Sequence, residues 1–198
     1  MLIVIAATAA AIAGYWYGQS ADRPLAAITL YPEPKPIEAF QLADKHGEAF
    51  VLDDWRGAWD LVFFGFTHCP DICPTTLDMM RSIRAQLSEE SDEPSRLRVN
   101  FVSVDSERDT PLRLQQYVEH FDPSFQGLTG SPEQIAAIAK QLNIAYVIED
   151  HPAGAKTYNV DHFAGILLVN PQAKVHGIFL GPHDADAISA DLDQLIRG

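Results

Sequence analysis

Positive charge is scarce in this chain of 198 residues: Lys and Arg number 14 against 27 Asp and Glu, a formal net charge of −13. A phosphate backbone is held by clustered cations, so a nucleic-acid-binding role is excluded, and docking on anionic lipid through a basic surface is disfavoured for the same reason. Cysteine is nearly absent, with two residues in all, which excludes a small domain stapled by disulfides. Long apolar runs are also wanting. Only Leu2 to Gly18 approaches the length of a span, so the chain is not a polytopic membrane protein. What remains, 47% hydrophobic and 21% charged residues, is the balance of a globular core and argues against global disorder.

The run from Leu2 to Gly18 ends in Tyr15, Trp16 and Tyr17, where an interfacial anchor is expected. A cleaved signal segment is the rival, but no Lys or Arg precedes the run and the basic n-region is missing. Residues 1–20 are therefore expected to be a single membrane anchor, or a signal segment. Residues 21–36 follow as a linker, with Pro32, Pro34 and Pro36 at alternate positions favouring an extended spacer. The folded domain is expected over 37–198.

Glu38 to Val51 reads as a hairpin turning at Asp44–Gly47. Asp60 to Phe66 is a continuous apolar run, the pattern of a strand buried on both faces. Pro74 fits the first turn of a helix reaching Leu87. Leu97 to Val104 is a second buried strand. Thr110-Pro111 and Ser131-Pro132 each read as an N-cap followed by proline at the first helical position. Tyr146 to Ile148 and Gly165 to Val169 are expected strands, Asn170–Ala173 a turn into Val175–Leu180, and Asp184–Ile196 a closing helix. Alternating strands and helices imply an α/β domain with a mainly parallel sheet. A dithiol between a buried strand and a helix, with a late antiparallel hairpin and final helix, points to a thioredoxin-like fold with an N-terminal hairpin.

Both cysteines, Cys69 and Cys73, lie in the loop after the first buried strand. A helix N-terminus there favours thiolate, the form that attacks disulfides and binds metal. Three residues separate them, so this is not the two-residue spacing of the usual redox dithiol. Two soft thiolates suit Cu(I), whereas structural zinc wants four protein ligands and no second cysteine pair exists. The plain alternative is a pair of inert buried thiols, for which Pro70, Asp71 and Pro74 make poor company. A third ligand has to come from His46, His68, His120, His151, His162, His176 or His183, and spacing does not choose among them. His68 adjoins Cys69 but is expected to point away.

The segment Thr67-His68-Cys69-Pro70-Asp71-Ile72-Cys73-Pro74 resembles the signature of the Sco/SenC family of copper-binding, thioredoxin-like proteins. Val104–Pro111, Gly127–Glu133 and Val160–His162 resemble three further blocks of that family, in order, and the resemblance runs from about Pro36 to Ile196. It implies that Cys69, Cys73 and His162 bind copper, as Cu(I) or Cu(II); Asp161, beside the ligand, is read either as a carboxylate that orients or tunes the imidazole or as a solvated loop residue. Asp71 is expected to cap the helix, and Asp105, Arg108 and Asp109 to form a structural charge cluster. The resemblance further implies a metallochaperone, anchored in the cytoplasmic membrane and facing its outer side. It would help to build the CuA site of cytochrome c oxidase subunit II. The alternative is a thiol–disulfide oxidoreductase in which Cys69 attacks and Cys73 resolves, served by a thiol reductant partner. A peroxidase of the peroxiredoxin type is a weaker third reading, since the Thr67-to-Cys69 spacing is too short for that motif. Phe163 departs from the family, which often carries a small polar residue after the histidine. The change is expected to alter packing and leave the ligand. The turn Asn170–Ala173 also lacks a common glycine.

Overall fold

A computed structural model describes residues 24–89 and 97–197. The expected anchor over 1–20 lies outside them. Among the described residues no helix is long and apolar enough to cross a membrane.

The strands are β1 (Ile28–Pro36), β2 (Gln41–Asp44), β3 (Ala49–Val51), β4 (Trp59–Gly65), β5 (Leu97–Ser103), β6 (Gln126–Thr129), β7 (Tyr146–Ile148), β8 (Val160–His162), β9 (Ile166–Val169) and β10 (Lys174–Phe179). The helices are α1 (Ile72–Glu89), α2 (Pro111–Phe121), α3 (Pro132–Gln141) and α4 (Ala185–Arg197). Both proline-marked starts are as expected: Thr110 accepts from the Arg113 amide, and Ser131 and Gln134 form a reciprocal capping box. The hairpin β2–β3 turns at Gly47, whose φ of 81° is open to glycine at no steric cost.

Eight strands form one sheet in the order β1-β10-β9-β4-β5-β6-β2-β3. Only β4–β5 and β5–β6 are parallel; every other neighbouring pair is antiparallel. The expectation of a mainly parallel sheet is thus corrected to a mixed one, because hairpins flank the βαβ centre on both sides. The centre itself is as expected. On β4, Val62 and Phe64 face one core with Val102, Ile135 and Ile138, while Leu61 and Phe63 face another with Leu77, Met80, Leu114 and Leu192. A strand covered on both faces has to be apolar at every position, which is why Asp60–Phe66 reads as an unbroken run.

The expected linker needs correction. Its prolines belong to β1, which pairs with β10 at Ile28–Leu30 and again at Lys35–Pro36, with an irregularity between. Proline's fixed φ suits an edge strand as well as a spacer, and an edge strand needs hydrogen bonds on one side only. The Asp191 carboxylate on α4 secures the approach by accepting the amides of Ala26, Ala27 and Ile28 at 2.7–3.1 Å. A row of paired residues, Phe63–Ile166–Phe179–Ile28, crosses four strands. The beginning of β1 therefore lies at the same end of the sheet as the end of β4.

Candidate metal centre

The β4 strand delivers the chain into Phe66–Asp71, and α1 begins at Ile72, two residues earlier than proline placement suggests. Cys73 therefore sits inside the first helical turn and is fully buried, while Cys69 is half-buried in the loop. The Asp71 carbonyl accepts the Thr75 amide, which places Asp71 at the helix start through its backbone. The Cys69 amide donates to the Phe66 carbonyl at 3.2 Å, closing a tight turn that aims the first thiol back at the sheet end.

The third side chain arrives on β8, a strand that the residue pattern does not predict. It pairs with β7 in a separate two-stranded sheet, His162 opposite Tyr146. The His162 ring stands edge-on to Phe63 and Phe66, each with centroids 5.8 Å away. Its Nε2 is 3.4 Å from Cys73 Sγ and its Nδ1 3.3 Å from the Phe163 carbonyl. One ligand atom from each of Cys69, Cys73 and His162 lies within 4.8 Å of the other two. Among the described residues these three form the group able to hold a metal ion.

Electrostatics fix the resting protonation. Burial pushes the Cys73 thiol far above its ordinary range, with the Phe66 backbone N–H acting against it and Cys69 adding to it. Burial pushes the His162 imidazole down, opposed by the Phe163 and Phe64 carbonyls and by Asp161. The ring is thus neutral at neutral pH. With its Nδ1–H donating to Phe163, Nε2 turns a lone pair toward the Cys73 S–H. Two sulfurs and one neutral imidazole nitrogen are a donor set matched to copper in both oxidation states.

The remaining histidines are placed elsewhere. His68 turns from the thiols, as expected, with Nδ1 3.3 Å from Thr67 Oγ1 and 3.8 Å from Asp109. His151 pairs with Glu107, and His183 meets the Ala164 carbonyl. Asp161 is exposed, opposite Val147 in the β7–β8 pair. Phe163 folds its ring over Gly165, so the departure from the family motif is absorbed by packing beside the ligand arm.

Three supporting features escape a reading by motif. Gly65 leaves the space that the Cys73 sulfur occupies: a Cβ there would stand 2.6 Å from Sγ. Asp109 is fully buried and accepts the Thr67 amide at 2.8 Å, Thr67 Oγ1 at 2.6 Å and Ser103 Oγ at 2.6 Å, so it braces the cysteine loop. Phe63 and Phe66 wall the imidazole. The glycine at the end of an apolar strand is the available signal for the first; Asp109 stands in the expected charge cluster, though nothing marks its hold on the cysteine loop, and nothing local marks the aromatic walls.

An α/β domain with a thiol pair at a strand–helix junction and an imidazole brought onto it defines a thioredoxin-like protein with a soft-metal or redox site. The chain belongs to the SCO1/SenC family, whose profile matches residues 31–197. It is similar to the mitochondrial SCO2 homologue of Bos taurus, 34% identical over 197 residues, covering 95% of this chain and 72% of that one. Among solved structures it resembles Arabidopsis thaliana ScoI with copper bound, at 32% identity and a TM-score of 0.73, covering 81% of this chain and 97% of the other. It also resembles yeast Sco1 with copper bound, at 26% identity and a TM-score of 0.76, covering 83% and 90%.

Proposed function

We propose that the chain is a copper metallochaperone whose cargo is held by Cys69, Cys73 and His162. The observation that carries this reading is the convergence of two sulfurs and one imidazole nitrogen within 4.8 Å. Copper-bound structures of relatives with the same fold support it. The two thiolates suffice for Cu(I), and the nitrogen adds the harder donor that Cu(II) requires. Half-buried Cys69 is the point of entry, and buried Cys73 gives up its proton as the ion is taken in. Asp161 and Asp71, both exposed and adjoining the ligands in the chain, keep the surroundings of the site acidic.

The family resemblance supports delivery to the CuA site of cytochrome c oxidase subunit II. The apolar run over residues 2–18 supports a single anchor in the cytoplasmic membrane with the domain on the outer side. The acidic charge of −13 favours encounter with a basic receiver.

The test is copper titration of the reduced protein with optical and spin-resonance spectra. Wild type is expected to bind one ion with a sulfur-to-copper charge-transfer band. Cys69→Ser and Cys73→Ser are expected to abolish tight Cu(I) binding, and His162→Ala to weaken Cu(II) far more than Cu(I). Unimpaired copper stoichiometry in the double serine variant would remove the proposal.

A thiol–disulfide oxidoreductase uses the same pair, and the free, adjoining thiols of Cys69 and Cys73 favour it as the second reading. Cys69 thiolate would attack a target disulfide and release one target thiolate. Cys73 would then displace the second, leaving the target reduced and this pair oxidised. A dithiol that exchanges with no partner disulfide would rule this out.

A further inference from the structure

His162 lies on a sheet that shares no ladder with the main one. Its placement against Cys73 therefore depends on how the arm formed by β7, β8 and the loop between them is fastened. Within the arm, the Glu149 amide donates to the Asn159 carbonyl at 3.0 Å, and the Asn159 amide returns to the Glu149 carboxylate at 3.0 Å. These close the loop on itself but tie it to nothing else.

Val160 packs the arm into the core below it, and the polar fastening to the body centres on Tyr158, which is buried in the same core. The Arg108 guanidinium lies 3.6 Å from its ring centroid. The His151 ring is stacked on it at 3.6 Å with planes 7° apart. Two groups at that distance cannot share one face, so Tyr158 is sandwiched between them. Its hydroxyl donates to Asp105, which also receives Arg108 Nε, and Arg108 Nη1 donates to the Tyr158 carbonyl at 3.2 Å. On the outer side, Glu107 pairs with His151 Nε2 at 2.9 Å and accepts the Gly154 amide at 2.8 Å. All of these body-side groups come from residues 105–108. The next residue, Asp109, holds Thr67 of the cysteine loop. One short loop thus grips both halves of the site.

We propose that Tyr158 is a positioning residue for the metal centre: clasped between Arg108 and His151, it sets the arm so that His162 stands over the dithiol. Its removal uncouples the imidazole while leaving the sulfurs in place. The copper consequence rests on the metallochaperone reading; the structural consequence in the metal-free protein does not.

The test compares wild type, Tyr158→Leu, Tyr158→Phe and His162→Ala in the full chain, reduced, metal-free and copper-loaded. In the metal-free protein, Tyr158→Leu is expected to speed amide exchange across 149–162 at least about tenfold, with β4 and β5 amides unchanged. The His162 ring resonances should leave the positions set by Phe63 and Phe66. In the loaded protein, Cu(II) release should accelerate by about tenfold or more with loss of nitrogen coupling, as for an orienting partner of a ligand. Cu(I) affinity should hold near wild type. Tyr158→Phe keeps the stack and is expected to restore the wild-type pattern. Wild-type arm exchange and His162 resonances in Tyr158→Leu overturn the proposal. If wild type takes up no copper through these side chains, the chaperone reading fails, and the metal-free readouts still decide the role of Tyr158. If Tyr158→Leu does not fold, Arg108→Gln removes one face of the clasp. The same measurements then apply: faster arm exchange and shifted His162 resonances support the proposal, and wild-type values overturn it.

Discussion

Gly65 and Cys73 touch across the junction of β4 and α1. A methyl group at Gly65 would stand 2.6 Å from Cys73 Sγ and 2.8 Å from Phe101 Cε2, both buried, with no room to withdraw. Gly65→Ala is therefore expected to displace the sulfur and cost roughly 1–3 kcal/mol, the usual range for overpacking. Denaturant unfolding checks the stability. A copper titration on the folded variant should show weaker binding than wild type; unchanged affinity would mean that the glycine is not what seats the thiol.

Asp109 takes three hydrogen bonds in a fully buried position. Asp109→Ala leaves the Thr67 amide without its acceptor and is expected to cost about 2–3 kcal/mol. The loosened loop should also expose Cys69, so alkylation by a thiol reagent should speed up under native conditions. Equal alkylation rates in the two proteins would show that the brace does not govern the loop.

Asp60 is buried at the start of β4, and burial raises its pKa from 3.8 to about 6 against the pull of Arg98 and Asn100. A raised carboxyl contributes stability that is full below the unfolded pKa and is lost as pH rises through the folded one. The group should cost roughly 3 kcal/mol at neutral pH relative to acid, from about 1.4 kcal/mol per pH unit. Glu107, Glu119, Asp122 and Glu133, all lowered, act in the opposite sense. The difference between wild type and Asp60→Asn isolates this contribution. The variant should gain on wild type between pH 4 and pH 7, measured by urea midpoints, and parallel curves would refute the assignment.

Ser131 caps α3 in a reciprocal box with Gln134. Ser131→Ala is expected to lower stability by about 1 kcal/mol. Copper binding should not change, since α3 lies on the sheet face away from the Cys73 helix. A copper defect in this variant would signal coupling through the core.

The sequence is most legible where local chemistry alone decides the outcome. Thr110-Pro111 and Ser131-Pro132 start helices because a hydroxyl cap and a fixed φ need no distant partner. The run at β4 declares burial on both faces through composition. Legibility fails where a segment takes its form from elsewhere. The prolines of β1 suit a spacer and an edge strand equally, and only the neighbour β10 separates the two. Val160-Asp161-His162 is too short and too polar to announce a strand, so the element that carries the imidazole is silent in the residue pattern. Its ligand role is reached through family resemblance, because seven histidines are equivalent by spacing. Tyr158 carries no signal at all, and Asp109, legible as part of a charge cluster, does not announce that it braces the cysteine loop, since their partners lie 53 and 42 residues away.

The residue row from Phe63 to Ile28 spans three strand intervals, about 14 Å at the usual spacing. The chain thus enters the sheet at Ile28, on the same end of the molecule as the thiols and not at its opposite pole.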